Sequence, residues 1–234
     1  MKPIIIANWK MHFSFDEACN YFHHLLSYSF DFSNVIFAVP SLYLSGLKLK
    51  FNKYNFSAQD ISVIKDDYGP YTGEISAIML KGLNINYAII GHSERRKLFS
   101  ENENIISLKA RNCVNNNIIP IICIGETKEE RKNKIEYINK RLISLSFLFS
   151  KKIIIAYEPI WSIGNGELPT KDEIIEVVDT IRNIVADVAN NVKIVYGGSV
   201  SPRNIGEVIS TKIDGVLIGS SSLDPRNLIK IIQV

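Results

Sequence analysis

Cysteine is scarce in this 234-residue chain: Cys19, Cys113 and Cys123 are the only three. They lie far apart, no pair has metal-ligand spacing, and an odd count argues against a disulfide framework. A reducing, cytoplasmic setting fits. No stretch approaches the ~20 consecutive apolar residues of a membrane span. The start offers no secretory signal: Ile4-Ile5-Ile6-Ala7 is followed at once by Asn8 and Lys10. There is no basic tract of the kind nucleic acid needs, and the formal charge is only +3. Lys128–Lys134 mixes both signs and reads as a solvated helix face. No G-x-G-x-x-G follows the first apolar run, which weakens a dinucleotide-binding reading.

What the chain does have is short apolar runs from end to end. They are Ile4–Ala7, Val35–Val39, Phe56–Gln59, Tyr87–Ile90, Ile118–Ile124, Ile153–Tyr157, Lys193–Tyr196 and Gly215–Ile218. Most are rich in Ile and Val, the composition of strands buried on both faces in a parallel sheet. Each gap has room for a helix. Ser14/Glu17, Ser100/Glu103, Thr127/Glu130 and Thr170/Glu173 match the capping box. Ser201-Pro202 and Asp224-Pro225 place a capping side chain before a proline at the first helical position. After Thr170, Ile174, Val177, Val178, Ile181, Ile184, Val185 and Val188 form one apolar stripe at helical spacing. Eight alternations of strand and helix allow a closed barrel or an open doubly wound sheet, and the pattern alone leaves both open. No compositional break suggests a second domain, so residues 1–234 read as one.

Polar residues collect just after the strands. They are Asn8-Trp9-Lys10, Gly91-His92-Ser93-Glu94, Glu158-Pro159, Gly197-Gly198-Ser199 and Gly219-Ser220. In a barrel, all these strand ends lie on the face where active sites of that architecture form. Singly, Lys10 reads as a surface lysine and His92 as a structural hydrogen-bonding residue. Glu158 is harder to dismiss, because a carboxylate directly after Ile153–Tyr157 sits where desolvation is costly. Cys123, inside an apolar run, reads as core. The glycine-rich turns after the seventh and eighth strands let main-chain amides approach an anion, which suggests a phosphate cradle.

Six segments carry a resemblance. Asn8–Met11, Tyr71–Glu74, Gly91–Arg96, Cys123–Glu126, Ala156–Trp161 and Tyr196–Val200 resemble, in order and near spacing, the motifs of the triosephosphate isomerase family. The resemblance runs from residue 4 to about residue 223. It implies a single (β/α)8 TIM barrel that interconverts dihydroxyacetone phosphate and D-glyceraldehyde 3-phosphate through an enediolate, in glycolysis and gluconeogenesis. It implies no cofactor and no metal. Glu158 would be the base, and His92 would polarise the carbonyl and shuttle protons. Lys10 would supply positive charge, helped by Asn8 and paired with Glu94; Ser93 would open the helix behind His92. Gly164, Ser199, Gly219 and Ser220 would hold the phosphate, with Ile160–Leu168 as a lid and Tyr196 fastening it. The loop Gly69–Glu74 would reach into a second subunit of a homodimer, bringing Thr72 near that subunit's site. The substrate is the one other partner implied, with no nucleic acid and no membrane.

The chain departs from the family pattern at three positions. Ser220 stands where a second glycine is usual, and Asp60 where asparagine is common. Pro169 replaces a residue whose amide would bond to the tyrosine matching Tyr196, and proline has no amide hydrogen. Two rival functions differ in what they need. A Schiff-base aldolase or an epimerase on the same barrel would need a buried strand-end lysine or other groups, leaving Glu158 with His92 unexplained. A non-catalytic metabolite-binding or adhesion protein would have no need of the set Asn8, Lys10, His92 and Glu158.

Overall fold

The computed structural model describes residues 2–163, 167–188 and 190–234. Eight parallel strands close into a barrel in chain order. They are β1 (Ile4–Asn8), β2 (Val35–Ala38), β3 (Asn55–Ala58), β4 (Tyr87–Ile90), β5 (Ile119–Ile124), β6 (Ile153–Tyr157), β7 (Val192–Tyr196) and β8 (Gly215–Ile218). Closure is made by β1 against β8, with Ile4 opposite Gly215 and Ala7 opposite Ile218. The ring, rather than an open sheet, is therefore the solution this alternation adopts.

Burial on both strand faces produces two apolar compartments. Inside the barrel, Ile6, Ile36, Ile89, Ile121, Cys123, Ile154, Val195 and Leu217 interdigitate. Outside it, the opposite strand faces pack under the helices. Between β1–β3 and α1 (Phe15–Leu26), that outer layer is aromatic. The Phe22 ring stands 5.4 Å from Trp9, 4.9 Å from Phe37 and 5.3 Å from Phe56. Tyr21 of α1 donates its hydroxyl to the carbonyl of Ser222 at 2.7 Å, tying the helix to the turn after β8.

The helices start mostly where capping chemistry predicts. Reciprocal capping boxes open α1 at Ser14/Glu17 and α7 (Lys171–Ile184) at Thr170/Glu173. Asp224 caps α9 (Pro225–Ile232), with proline at its first turn. Thr127 and Glu130 exchange the same pair of bonds, but the turn they open is a short 3-10 segment, Glu130–Asn133. Two positions differ from expectation. Ser100 ends α4 (Ser93–Phe99) in a left-handed conformation, φ 55°, and Asn102 caps α5 (Glu103–Asn115) instead. Only two residues separate Ser100 from the start of α5, and the left-handed Ser100 redirects the chain ahead of them. Pro202 lies in a turn ahead of α8 (Ile205–Ile209), not at its first position. The stripe on α7 buries Ile174, Val177, Val178 and Ile181 against the barrel, while Ile184 faces outward.

Candidate active site

The C-terminal strand ends surround a cavity of about 550 Å³, lined by Lys10, His92, Glu158, Ser199, Gly219 and Ser220 among others. Each comes from a loop after a different strand or from adjacent loops, so barrel closure is what brings them together.

Lys10 has φ 53°, a left-handed backbone conformation that costs a residue with a side chain about 1–3 kcal/mol. Two amide side chains hold it there. Asn8 Oδ1 accepts from the Lys10 amide at 3.0 Å. Gln59, just past β3, donates Nε2 to the Lys10 carbonyl at 2.8 Å and to the Ala38 carbonyl at 3.0 Å. Lys10 Nζ then meets Glu94 Oε1 at 2.6 Å, the expected pair.

His92 is the N-cap of α4, and its Nδ1 accepts from the Glu94 amide at 3.2 Å. An amide N–H only donates, so Nδ1 is the bare nitrogen and the ring proton sits on Nε2. Nε2 faces Glu158 Oε1 at 3.6 Å.

Glu158 is only 1% exposed. Neither carboxylate oxygen meets a nitrogen or hydroxyl donor at hydrogen-bond distance among the described residues; the Cys123 thiol beside it is only a weak donor. A buried unsatisfied carboxylate is costly, and such groups point to chemistry rather than to stability. Its main chain is fixed by its amide, which donates to the Ile124 carbonyl at 2.7 Å. Glycines let it sit there: a Cβ on Gly125 would stand 1.7 Å from the Glu158 carbonyl oxygen, and one on Gly197 would stand 2.8 Å from its Cγ. Cys123 is buried, as the sequence suggests, and lies against this carboxyl; burial and the Glu158 charge push its thiol well above the usual range.

The turn after Glu158 is pinned from below. Trp161 Nε1 donates to Glu126 Oε1 at 2.9 Å, and the Tyr157 hydroxyl donates to the same oxygen at 3.2 Å. Burial raises the Glu126 carboxyl above its ordinary value, and these donors only partly offset that. Arg131 stacks 3.9 Å above the Trp161 ring while pairing with Glu173 at 2.8 Å. Tyr196 is fully buried, and burial pushes its hydroxyl up to about 12.

Asn8, Lys10, His92, Ser93, Glu94, Glu158, Ser199, Gly219 and Ser220 are thus brought to one end of the barrel. Gly164 lies outside the described residues, and so does the centre of the expected lid. Thr72 is exposed on its loop and does not line this chain's cavity. Asp60 is drawn into a partly buried cluster with Lys109, Glu101 and Arg95 of α4. Sequence reasoning missed Gln59, Glu126 and His12. Gln59 follows β3 directly, Glu126 stands two residues past β5, and His12 lines the cavity two residues past Lys10. Among the described residues, no group of three or more His, Cys, Asp or Glu is arranged to hold a metal ion. No helix there is long and apolar enough to cross a membrane.

Residues 3–234 match the family model described as triosephosphate isomerase. The chain is 58% identical to the triosephosphate isomerase of Orientia tsutsugamushi (strain Ikeda), covering all of this chain and 98% of that protein. It is 39% identical to that of Dictyoglomus thermophilum, with 99% of each chain covered. The same enzyme of Clostridium tetani is 36% identical, over 99% of this chain and 96% of its own length.

Proposed function

The chain belongs to the triosephosphate isomerase family and interconverts dihydroxyacetone phosphate and D-glyceraldehyde 3-phosphate, and we propose that Glu158, His92, Lys10 and Asn8 carry that reaction. The observation behind this reading is the buried Glu158 carboxylate, 3.6 Å from His92 Nε2 and opening on the same cavity as Lys10.

Glu158 takes the proton from the carbon next to the substrate carbonyl. The electron pair left behind moves onto the carbonyl oxygen, giving an enediolate. His92 donates from Nε2–H to the developing oxyanion, and the Lys10 ammonium supplies a fixed positive charge beside it. Asn8 supports this by holding the Lys10 main chain. His92 then moves a proton between the two oxygens, and Glu158 returns its proton to the neighbouring carbon. Proton and electron pair stay within substrate and side chains, so the chemistry calls for no cofactor. Ser199 and the Gly219–Ser220 turn offer donors to the phosphate, with Lys10 nearby. The enediolate loses phosphate if water reaches it, so the turn after Glu158 has a covering role.

Lys10 Nζ is held by Glu94 at 2.6 Å and its side chain is partly exposed, whereas a Schiff-base aldolase needs a buried lysine free to attack a carbonyl, which supports the isomerase roles. We read residues 1–234 as one domain and the chain as a homodimer joined through the loop Gly69–Glu74. That loop is largely exposed, and Met11, beside Lys10, is 96% exposed. Three free, buried cysteines suit a cytoplasmic setting.

The test is a coupled assay of glyceraldehyde 3-phosphate conversion with Glu158→Gln beside wild type. The variant folds normally and loses at least about two orders of magnitude in turnover. Full activity would exclude Glu158 as the base.

A further inference from the structure

Ser162 lies four residues past the base, in the short 3-10 turn Ile160–Ser162, and it is fully buried. All of its polar atoms are engaged. Its amide donates to the Pro159 carbonyl at 2.8 Å. Its carbonyl accepts the Ser199 hydroxyl at 2.6 Å. Its own hydroxyl donates to the Glu167 carbonyl at 2.6 Å, bridging the two ends of the segment that follows Glu158. Oγ also lies 3.5 Å from the Tyr196 hydroxyl, at the outer limit of a hydrogen bond.

The donor directions follow from the inventory of atoms. A serine hydroxyl has one hydrogen and two lone pairs. With its hydrogen committed to Glu167, Oγ has only acceptor capacity left for Tyr196. The resulting chain runs Tyr196 O–H to Ser162 Oγ–H to the Glu167 carbonyl. Tyr196 is fully buried, and its oxygen occupies the space that a Cβ on Gly198 would need.

We propose that Ser162 is a positioning residue for Glu158, its hydroxyl fastening both ends of the turn after the base to Tyr196 and its carbonyl fastening that turn to the phosphate loop through Ser199. The proposal rests on the reading of Glu158 as the base and Ser199 as a phosphate donor. It follows that substrate phosphate and the Ser162 carbonyl compete for one hydroxyl. When Ser199 turns to the phosphate, the turn is released on that side and is held by the Tyr196 link alone.

The test is a double-mutant cycle in the full-length enzyme, with Ser162→Ala, Tyr196→Phe and the pair, followed by turnover and KM for glyceraldehyde 3-phosphate. Ser162→Ala lowers kcat about three- to tenfold and leaves KM within about twofold, because the phosphate donors stay in place. Tyr196→Phe lowers kcat by a similar factor, and the double variant is no worse than the worse single one. Ser162→Cys, which keeps a weak donor of similar size, falls between wild type and alanine. Wild-type kcat in Ser162→Ala, or losses that multiply in the double variant, would overturn the proposal. If Ser162→Ala fails to fold, the cycle is run with Ser162→Cys in its place, and the same multiplication overturns it. Glu158→Gln is assayed alongside. Normal turnover there removes the base assignment, whereas its inactivation together with multiplying losses removes only the role of Ser162.

Discussion

Gln59 holds Lys10 by its main chain and not by its charge: Nε2 donates to the Lys10 carbonyl at 2.8 Å and leaves the ammonium free to meet Glu94. The left-handed backbone of Lys10, φ 53°, is thereby kept in a conformation it would not choose alone. Removing the donor with Gln59→Ala lets this segment relax and carries the ammonium away from the substrate oxygens. We expect kcat/KM to fall about tenfold, which corresponds to roughly 1.4 kcal/mol of transition-state stabilisation. Steady-state kinetics checks it, and a change under twofold would show that the Lys10 backbone does not depend on Gln59.

Gly197 leaves no room for a side chain next to the base. A Cβ there would stand 2.8 Å from Cγ of Glu158 and 3.3 Å from its Oε1. Gly197→Ala is expected to push the carboxylate aside and to cost at least about tenfold in kcat, since small misplacements of a reacting group are expensive. KM changes less. Kinetics together with the melting temperature separates this from a general loss of fold.

Thiol chemistry gives a pH-dependent prediction. Burial disfavours the thiolate and pushes both Cys113 and Cys123 up, with Glu158 adding to the effect at Cys123 and Asp60 at Cys113. The thiolate is the nucleophile, so raising the pH from 7 to 9 accelerates alkylation of a free thiol but leaves these two inert. Iodoacetamide labelling of the native enzyme, read by peptide mass, should spare both residues across that range. Denaturation should expose them. Rapid native labelling of Cys123 at pH 9 would contradict its position against the base.

Pro169 is buried and brings no amide hydrogen, yet the Tyr196 hydroxyl is not stranded, because Ser162 Oγ faces it. Pro169→Ala is therefore expected to leave turnover within about twofold. Its main effect is on stability, lowered by about 0.4–1 kcal/mol through a freer unfolded chain. Denaturant unfolding measures this. A several-fold gain in turnover would mean that the missing amide limits the enzyme.

The eight strands and the residues at their ends were legible because each signal is local. An apolar run marks a strand, and Lys10, His92 and Glu158 stand one or two residues past one. Ring closure was not legible in the strand–helix pattern, since pairing β1 with β8 joins residues more than two hundred positions apart and leaves no mark on either; it came through the motif resemblance alone. Gln59 escaped notice for a related reason: its partners are the main-chain oxygens of Lys10 and Ala38, groups that any sequence possesses. Ser100 misled because Ser-x-x-Glu reads the same whether the serine starts a helix or ends the one before. The competition between Ser100 and Asn102 is settled by the left-handed turn that separates α4 from α5.

The two tryptophans occupy opposite environments. Trp9 is sealed among Phe13, Tyr21 and Phe22, whereas Trp161 is partly exposed under the Arg131 guanidinium. The molecule therefore carries its own optical probe at the segment next to the base. Light emitted at the red edge of the spectrum comes from one indole, and a soluble quencher should dim that fraction first, reporting on the neighbourhood of Glu158 without any attached dye.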